Sequence, residues 1–188
     1  MNNTLLCGVG GQGTVLASKL IAFAAMEKGE NVRTSETIGM SQRGGCVVSH
    51  VRAGENINSP MLPKGSADVI IAFEPAEAVR NISYLKKGGT VIVNKKAVKP
   101  VTASLTGSAY DGTKALKYLN ENVEHLIVID GDGICEKCGS SKVLNIALLA
   151  AAAKSGALGI TVDELKNAIL KRIPEKFHEI NLNAVELA

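Results

Sequence analysis

Short apolar runs alternate along the chain with longer segments in which apolar residues recur at helical spacing. Runs of the first kind, bounded by glycine or proline, are typical of buried strands, and the longer segments are typical of helices. The predicted strands cover residues 4–7, 31–36, 46–52, 67–73, 90–93 and 126–129. The predicted helices cover 14–28, 111–123, 141–154, 162–173 and 175–187, and another begins at Glu74 and Pro75. This alternation predicts one α/β domain over residues 1–188, with three layers (α/β/α) and a mostly parallel, Rossmann-like sheet.

Composition narrows the classes of partner. The 188 residues include 19 glycines, no tryptophan and only 3% aromatic residues, whereas 46% are hydrophobic. Aliphatic side chains must therefore fill the core, and a base-stacking surface is not expected. The formal net charge of +3 is small, which argues against nucleic acid as the main partner.

Targeting signals are not visible in the sequence. The start of the chain has no basic region before its first apolar run, and the longest apolar block, 146–153, is too short to span a bilayer. Four cysteines do not make a secreted disulfide framework at this length. We therefore expect a reduced, cytoplasmic protein with no membrane partner.

The segment from Gly8 to Gly13 has the spacing G-x-G-x-x-G through Gly8, Gly10 and Gly13, between a predicted strand and a predicted helix. Glycine permits a tight turn whose N–H groups approach a phosphate, and the helix start adds partial positive charge. Glu36, 23 residues after Gly13, stands where a ribose-binding acid could lie. The pattern leaves two interpretations open: a stand-alone NAD(P)-binding module, or a tight turn without a ligand.

A second polar segment, 35–45, is predicted to form a flexible loop after the second strand. Its glycines, together with Arg43, could clamp a phosphate or a carboxylate. In an open α/β sheet, this loop and the glycine turn both follow carboxyl ends of strands, where ligands bind. The alternative is an exposed loop whose Arg43 is solvated or pairs with Glu36.

These two loops together resemble the γ-type subunits of the 2-oxoacid:ferredoxin oxidoreductases, most closely the small (β) subunit of the indolepyruvate type. The resemblance rests on Gly8–Gly13 and on residues 39–52, which read Gly-Met-Ser-Gln-Arg-Gly-Gly-Cys-Val-Val-Ser-His-Val-Arg. It continues through 73–78, 89–94 and 145–149 and covers nearly the whole chain. The Ser-Gln-Arg-Gly-Gly block is specific to this family, whereas the glycine turn is not.

The resemblance implies the fold of domain III of pyruvate:ferredoxin oxidoreductase and a subunit that is inactive alone. A larger partner subunit is expected to bind thiamine diphosphate, Mg²⁺ and iron–sulfur clusters and to pass electrons to ferredoxin. The complex would oxidatively decarboxylate an aryl 2-oxoacid in anaerobic metabolism and transfer the acyl group to coenzyme A. This chain would hold no tightly bound cofactor, metal or catalytic residue, and the isolated chain could form a homodimer.

The resemblance also implies that this chain helps to form the coenzyme A side of the site. We expect the two loops to face coenzyme A or the partner subunit, and the sequence does not distinguish between these. The predicted binding residues are Gly8, Gly10, Gly11, Gln12, Gly13, Glu36, Gly39, Ser41, Gln42, Arg43, Gly44 and Gly45.

Two further motifs are not assigned a function. Residues 131–133, Gly-Asp-Gly, match the opening of a thiamine diphosphate motif, but the asparagine expected around 156–163 is absent. The plain alternative is a turn, with Asp132 near a helix start. Cys135 and Cys138 form a lone C-x-x-C without the second pair of a closed zinc site. They are expected to act as small hydrophobic residues on one face of a short helix.

Two further points concern the cysteines and His50. A redox or metal role that joins the C-x-x-C to Cys7 or Cys46 is the open alternative. His50 follows Ser49 in a predicted strand, so the two side chains point to opposite faces and do not form a catalytic pair. We expect His50 to be packed or hydrogen-bonded.

Overall fold

A computed structural model describes residues 1–38, 44–99 and 109–188. Within these residues, six strands form one mixed sheet: β1 (Asn2–Val9), β2 (Asn31–Ile38), β3 (Cys46–Gly54), β4 (Ala67–Ala72), β5 (Leu85–Asn94) and β6 (His125–Ile129). Their order across the sheet is β2-β3-β1-β4-β5-β6. β3 runs antiparallel to β2 and β1, whereas β1, β4, β5 and β6 are parallel to one another. Because these four strands share one direction, their carboxyl ends meet at one edge of the sheet.

Helices cover both faces of the sheet. In the described parts of the chain they are α1 (Thr14–Glu27), α2 (Pro75–Asn81), α3 (Thr113–Asn122), α4 (Gly131–Cys138), α5 (Leu144–Lys154), α6 (Val162–Arg172) and α7 (His178–Leu187). One core cluster joins α1, α4, α5, α6 and α7 to the sheet, and the other joins α2 and α3 to the opposite face. The predicted three-layer α/β/α architecture is therefore confirmed. None of the helices in the described ranges is long and apolar enough to cross a bilayer.

Burial on both faces explains why the central strands read as continuous apolar runs. In β4, Val69 and Ile71 belong to one core cluster, and Ile70 and Ala72 belong to the other. The helix α5 is similarly apolar on all sides, and every residue from Asn145 to Ala153 is buried. A helix of this kind must lie inside the molecule, and α5 packs between the sheet and α1, α6 and α7.

The ends of several elements differ from the sequence prediction. β5 begins at Leu85 rather than at residue 90, because Leu85 already pairs with Ala67 of β4; the register then shifts before Thr90, and Gly88 in this irregular part of the strand has φ of 70°. The segments 141–154 and 175–187 each begin with a 3₁₀ turn, at Ser141–Val143 and Glu175–Phe177, before the α-helix starts. The short helix expected at Cys135 and Cys138 is present as α4, which begins earlier than predicted, at Gly131 within the predicted turn; the Asp130 carboxylate caps it by accepting the Gly133 N–H at 3.2 Å.

The backbone of Phe73, directly after β4, joins three strand ends. Its N–H donates to the carbonyl of Cys7 at 2.8 Å. Its carbonyl accepts from Gln12 Nε2 at 3.1 Å and from Asn94 Nδ2 at 3.5 Å. Asn94 Oδ1 in turn accepts the N–H of Gly131 at 3.1 Å. These bonds fix the ends of β1, β4 and β5 and the start of α4 relative to one another.

Replacing Asn94 tests this connection. Asn94 is 1% exposed, so Asn94→Leu leaves the buried Gly131 N–H without its acceptor and should lower the free energy of unfolding by about 1–3 kcal/mol. Asn122→Leu is the matched control, because its amide donates to the Tyr118 carbonyl at an exposed position, and it should change stability by about 0.5 kcal/mol or less. Urea denaturation of both variants measures the difference, and equal losses would contradict the role given to Asn94.

Candidate functional site

The glycine turn connects β1 to α1 at the carboxyl edge of the sheet. A Cβ on Gly8 would lie 2.8 Å from the Cβ of Phe73, so this position requires glycine for close packing. Gly13 is the N-cap of α1 with φ of 87°, which favours glycine, and a Cβ there would lie 3.1 Å from Asn145 Nδ2. Gln12 stiffens the turn, because its Oε1 accepts the Val9 N–H at 2.7 Å.

A polar cavity of about 410 Å³ opens beside this turn. Its wall includes Gly11 and Gly13, the first turn of α1, the amides of Gln12, Asn94 and Asn145, and the charged residues Lys96, Asp132 and Lys142. Lys96 Nζ lies 2.7 Å from Asp132 Oδ2, and this hydrogen bond raises the pKa of Lys96. Lys142 is the second cation of the wall.

The chemistry of this polar cavity suits an anionic ligand. The first turn of an α-helix carries N–H groups without an intrahelical acceptor and a partial positive charge. Gly13 has no side chain with which to cap α1, so the helix start faces the cavity without a competing carboxylate of its own. Together with Lys142 and the amide of Asn145, this arrangement can bind a phosphate, and the cavity volume lies within the range of small-molecule sites.

A smaller cavity of about 200 Å³ lies next to the polar cavity, and Val98 lines both. Its walls include two carboxylates, Glu74 and Glu77, each 2% exposed. Glu74 Oε2 accepts the N–H of Glu77 at 3.0 Å and so caps α2. Tyr110 donates its hydroxyl to the other oxygen of Glu74, and the same hydroxyl accepts the Ala76 N–H at 3.2 Å.

We call this smaller cavity the acidic cavity. Two of the residues that line it, Arg80 and Cys46, hold Glu77. Arg80 donates to its carboxylate, and the thiol of Cys46 donates to the same oxygen at 3.2 Å. Burial and the bond to Glu77 raise the pKa of Cys46. Burial and the nearby Glu77 and Glu74 raise the pKa of Cys7. Both thiols are therefore held in their protonated, weakly nucleophilic form.

The structure brings part of the predicted binding set together at this edge. The carbonyl of Gly45 accepts the Gly10 N–H at 2.8 Å, and the Gly44 N–H donates to the Gly10 carbonyl at 3.5 Å. The two predicted loops therefore meet at their backbones. Gly39, Ser41, Gln42 and Arg43 lie outside the described residues.

Glu36 lies elsewhere than the loop prediction places it. The strand β2 continues to Ile38, because antiparallel pairing with β3 extends to the pair Ile38 and Val47. Glu36 therefore lies in the strand predicted over 31–36, and the prediction that a loop begins at residue 35 is wrong. Its Oε1 accepts the hydroxyl of Ser18, on α1, at 3.2 Å. β3 also separates β2 from β1, so the carboxyl end of β2 does not adjoin the glycine turn as a ribose-binding strand would.

The cysteines lie at separate places in the fold. Cys135 and Cys138, on α4, pack with the larger core cluster, whereas Cys7 belongs to the cluster on the opposite face of the sheet. Cys46 contacts Glu77 as described above. In the three described ranges, no three His, Cys, Asp or Glu residues are placed to share a metal ion.

His50 is packed and hydrogen-bonded, as predicted. It is 2% exposed, and its Nδ1 accepts the N–H of Leu62 at 3.3 Å. Burial lowers the pKa of His50. The neutral ring therefore serves as a buried acceptor for the loop before β4.

Sequence reasoning missed most of the side chains around the two cavities. Asn94, Glu74 and Asn145 had a usable signal, since each is a polar residue at the end of an apolar strand or inside an apolar helix, where an unpaired polar group would be costly. Lys142 and Tyr110 had no such sequence signal, because each lies far along the chain from the glycine turn and only the tertiary structure brings it close.

Comparison with known proteins places the chain in a family. The profile described as "Pyruvate ferredoxin/flavodoxin oxidoreductase" matches residues 3–188. The chain is 36% identical over 187 residues to "Indolepyruvate oxidoreductase subunit IorB" of Thermococcus kodakarensis, covering 98% of this chain and 93% of that one.

Two solved structures share the fold. The γ subunit of keto/oxoacid ferredoxin oxidoreductase from Geobacter sulfurreducens has a TM-score of 0.68 and 24% identity, over 100% of this chain and 95% of that one. The 2-oxoglutarate:ferredoxin oxidoreductase from Magnetococcus marinus, solved with 2-oxoglutarate, coenzyme A and succinyl-CoA bound, has a TM-score of 0.66 and 19% identity. This chain matches over 99% of its length to 30% of that larger chain.

The chain therefore belongs to the pyruvate ferredoxin/flavodoxin oxidoreductase family. The predicted resemblance and the predicted enzyme class, a subunit of a 2-oxoacid:ferredoxin oxidoreductase, are confirmed.

Tyr110 provides a test of the acidic cavity. Burial, followed by the bond to Glu74, raises the pKa of Tyr110. Tyr110→Phe removes a donor from a buried carboxylate and should lower the free energy of unfolding at pH 7 by about 1–3 kcal/mol. Tyr118→Phe, at a 43% exposed ring, should change it by about 0.5 kcal/mol or less.

The pH dependence of this effect has a definite sign. Because the pKa of Tyr110 is raised on folding, the stabilisation by its neutral hydroxyl is fully present below the ordinary tyrosine pKa of about 10 and is lost as pH rises above it. Denaturation at pH 7 and pH 10.5 should show the difference between wild type and Tyr110→Phe shrinking at the higher pH. A difference that grows with pH would contradict this account.

Proposed function

We propose that this chain is the small subunit of an indolepyruvate-type 2-oxoacid:ferredoxin oxidoreductase and supplies the coenzyme A side of its site. The observation that carries the coenzyme A assignment is the polar cavity at the glycine turn, which combines the start of α1 with Lys142 and the side-chain amide of Asn145. The aryl 2-oxoacid is proposed because the relative from Thermococcus kodakarensis, matched over nearly its full length, is an indolepyruvate oxidoreductase subunit.

Coenzyme A fits this cavity better than a metal or a redox group does. Its phosphates require N–H donors and cations, which the start of α1 and Lys142 supply, whereas Lys96 in the same cavity is paired with Asp132. The fold is shared with an oxidoreductase solved with coenzyme A bound, which is consistent with a role of this kind. The small subunit would bind and orient the cosubstrate, and the chemistry of decarboxylation would take place on the partner subunit.

Thiamine diphosphate and iron–sulfur clusters are proposed for the larger partner subunit, because the donor sets of this chain do not suit them. Asp132 of the Gly-Asp-Gly segment pairs with Lys96, and the Mg²⁺ of thiamine diphosphate needs several oxygen ligands in octahedral geometry. The cysteines are divided between β1, β3 and α4, whereas a cluster needs its thiolates together. Electrons would then pass to ferredoxin through the partner.

The stand-alone NAD(P) module is the less favoured interpretation. In a dinucleotide-binding sheet, the acid that binds the ribose follows the parallel strand beside β1. Here that neighbour is the antiparallel strand β3, and Glu36 contacts Ser18 instead. The glycine spacing does not by itself require a dinucleotide, because packing against Phe73 and Asn145 already accounts for Gly8 and Gly13 in this chain.

Reconstitution tests the proposed function. The chain alone should have no activity, and co-expression with the larger subunit should give coenzyme A-dependent reduction of ferredoxin by indolepyruvate. Lys142→Gln should raise the KM for coenzyme A by about tenfold or more, because a charge-assisted bond to phosphate is lost. Its kcat at saturating coenzyme A and its assembly should be retained.

Lys137→Gln is the matched control. This exposed lysine lies on α4, close to Lys142 in sequence, but lines neither of the two cavities described above. Its KM for coenzyme A should equal that of the wild type. An unchanged KM in Lys142→Gln, or tight binding of NADH by the isolated chain with no response to coenzyme A, would contradict the proposal.

A further inference from the structure

A third cavity, of about 420 Å³, lies on the helical layer beyond the first turn of α1. We call it the apolar groove. Its apolar wall is formed mainly by Val143, Ile173, Phe177 and Ile180, and its charged residues are Lys142 and Arg172. The groove therefore lies between the turn before α5, the end of α6 and the start of α7. It combines a wide apolar surface with two positive charges.

The two cations of the apolar groove have no carboxylate partner in the described parts of the chain. The nine ion pairs found there include neither Lys142 nor Arg172. The guanidinium carbon of Arg172 lies 5.3 Å from the centre of the Phe23 ring, a contact that holds the group in place without neutralising it. The charged residues lining the groove are both positive, so its charge complements an anion.

Part of the apolar wall is open to water. Phe177 is 42% exposed and Leu16, at the junction with the polar cavity, is 41% exposed. An inorganic anion could engage the two cations but would leave these surfaces in water. A neutral apolar molecule would cover them but would bring no charge to Lys142 and Arg172. A ligand with both features satisfies both observations.

We propose that the apolar groove binds a small carboxylate with an apolar body, the carboxylate meeting Arg172 and Lys142 and the body covering Phe177 and Ile180. The volume is sufficient for a molecule with a bicyclic or branched body. This site goes beyond the proposed function: it shares Lys142 and Leu16 with the polar cavity, but Arg172 and Phe177 line the groove alone, so binding there requires neither coenzyme A nor catalysis. An aromatic acid and an aliphatic acid both combine a carboxylate with an apolar body, and the titration described next distinguishes between them.

Titration of the full chain by calorimetry and by amide NMR shifts tests the proposal. The probes are indole-3-acetate, 4-methylpentanoate and the uncharged indole-3-acetamide. At least one acid should bind with a dissociation constant of about 1 mM or tighter, as expected for a ligand of this size. The acetamide should bind about tenfold more weakly than indole-3-acetate, because it lacks the charge-assisted bonds. Whichever of the two acids binds more tightly shows whether the groove prefers an aromatic or an aliphatic body.

Two variants place the ligand in the groove. Arg172→Gln should weaken binding of the preferred acid about tenfold. Phe177→Ala should also weaken it, because the apolar body of the ligand loses its contact with the ring. Lys171→Gln is the matched control, since this neighbouring lysine on α6 donates to Glu27 and does not line the groove. Thermal unfolding confirms that each variant is folded.

Several results would overturn the proposal. They are equal affinity for the acid and the acetamide, no binding of either acid at 10 mM (about ten times the expected dissociation constant), and unchanged affinity in Arg172→Gln. The fourth is binding to the free chain that disappears in the complex while the larger subunit protects the groove from hydrogen exchange. That result would show the groove to be a contact between subunits.

Discussion

The backbone of Phe73 is the point on which the arrangement of the site depends. Its N–H bonds to β1, and its carbonyl receives the amides of Gln12 and Asn94. Because these bonds are buried, breaking them would expose polar groups to a low-dielectric interior, where an unpaired group is costly. The ends of three parallel strands are thereby held together, and the polar and acidic cavities form around them.

This constraint changes the meaning of the glycine turn. Gly8 is required because a Cβ would collide with Phe73, and Gly13 is required by its positive φ beside Asn145. Neither requirement involves a ligand. The feature that points to a ligand is instead the combination of the uncapped start of α1 with Lys142 and the amide of Asn145. A motif shared with dinucleotide-binding proteins is therefore compatible here with a different ligand and a different sheet.

Local patterns were sufficient to predict the buried strands and the position of the glycine turn. β4 and its helix α2 are examples, since an apolar run followed by Glu74 and Pro75 specifies both the strand end and the cap. The antiparallel direction of β3 could not be predicted, because it depends on pairing with β1 and β2 rather than on the residues of β3 alone. For the same reason the loop predicted from residue 35 onward includes Glu36, whereas pairing with β3 keeps Glu36 in β2, where it accepts from Ser18. Lys142 and Tyr110 reach the site only through tertiary contacts.

In the proposed function, this chain binds coenzyme A at the polar cavity while a partner subunit carries the redox chemistry. The most direct measurement is the structure, by cryo-electron microscopy, of the complex with the larger subunit and coenzyme A. We expect phosphate density at the start of α1, within hydrogen-bond distance of Lys142. Coenzyme A bound wholly to the other subunit, with the polar cavity filled by side chains of that subunit, would contradict it.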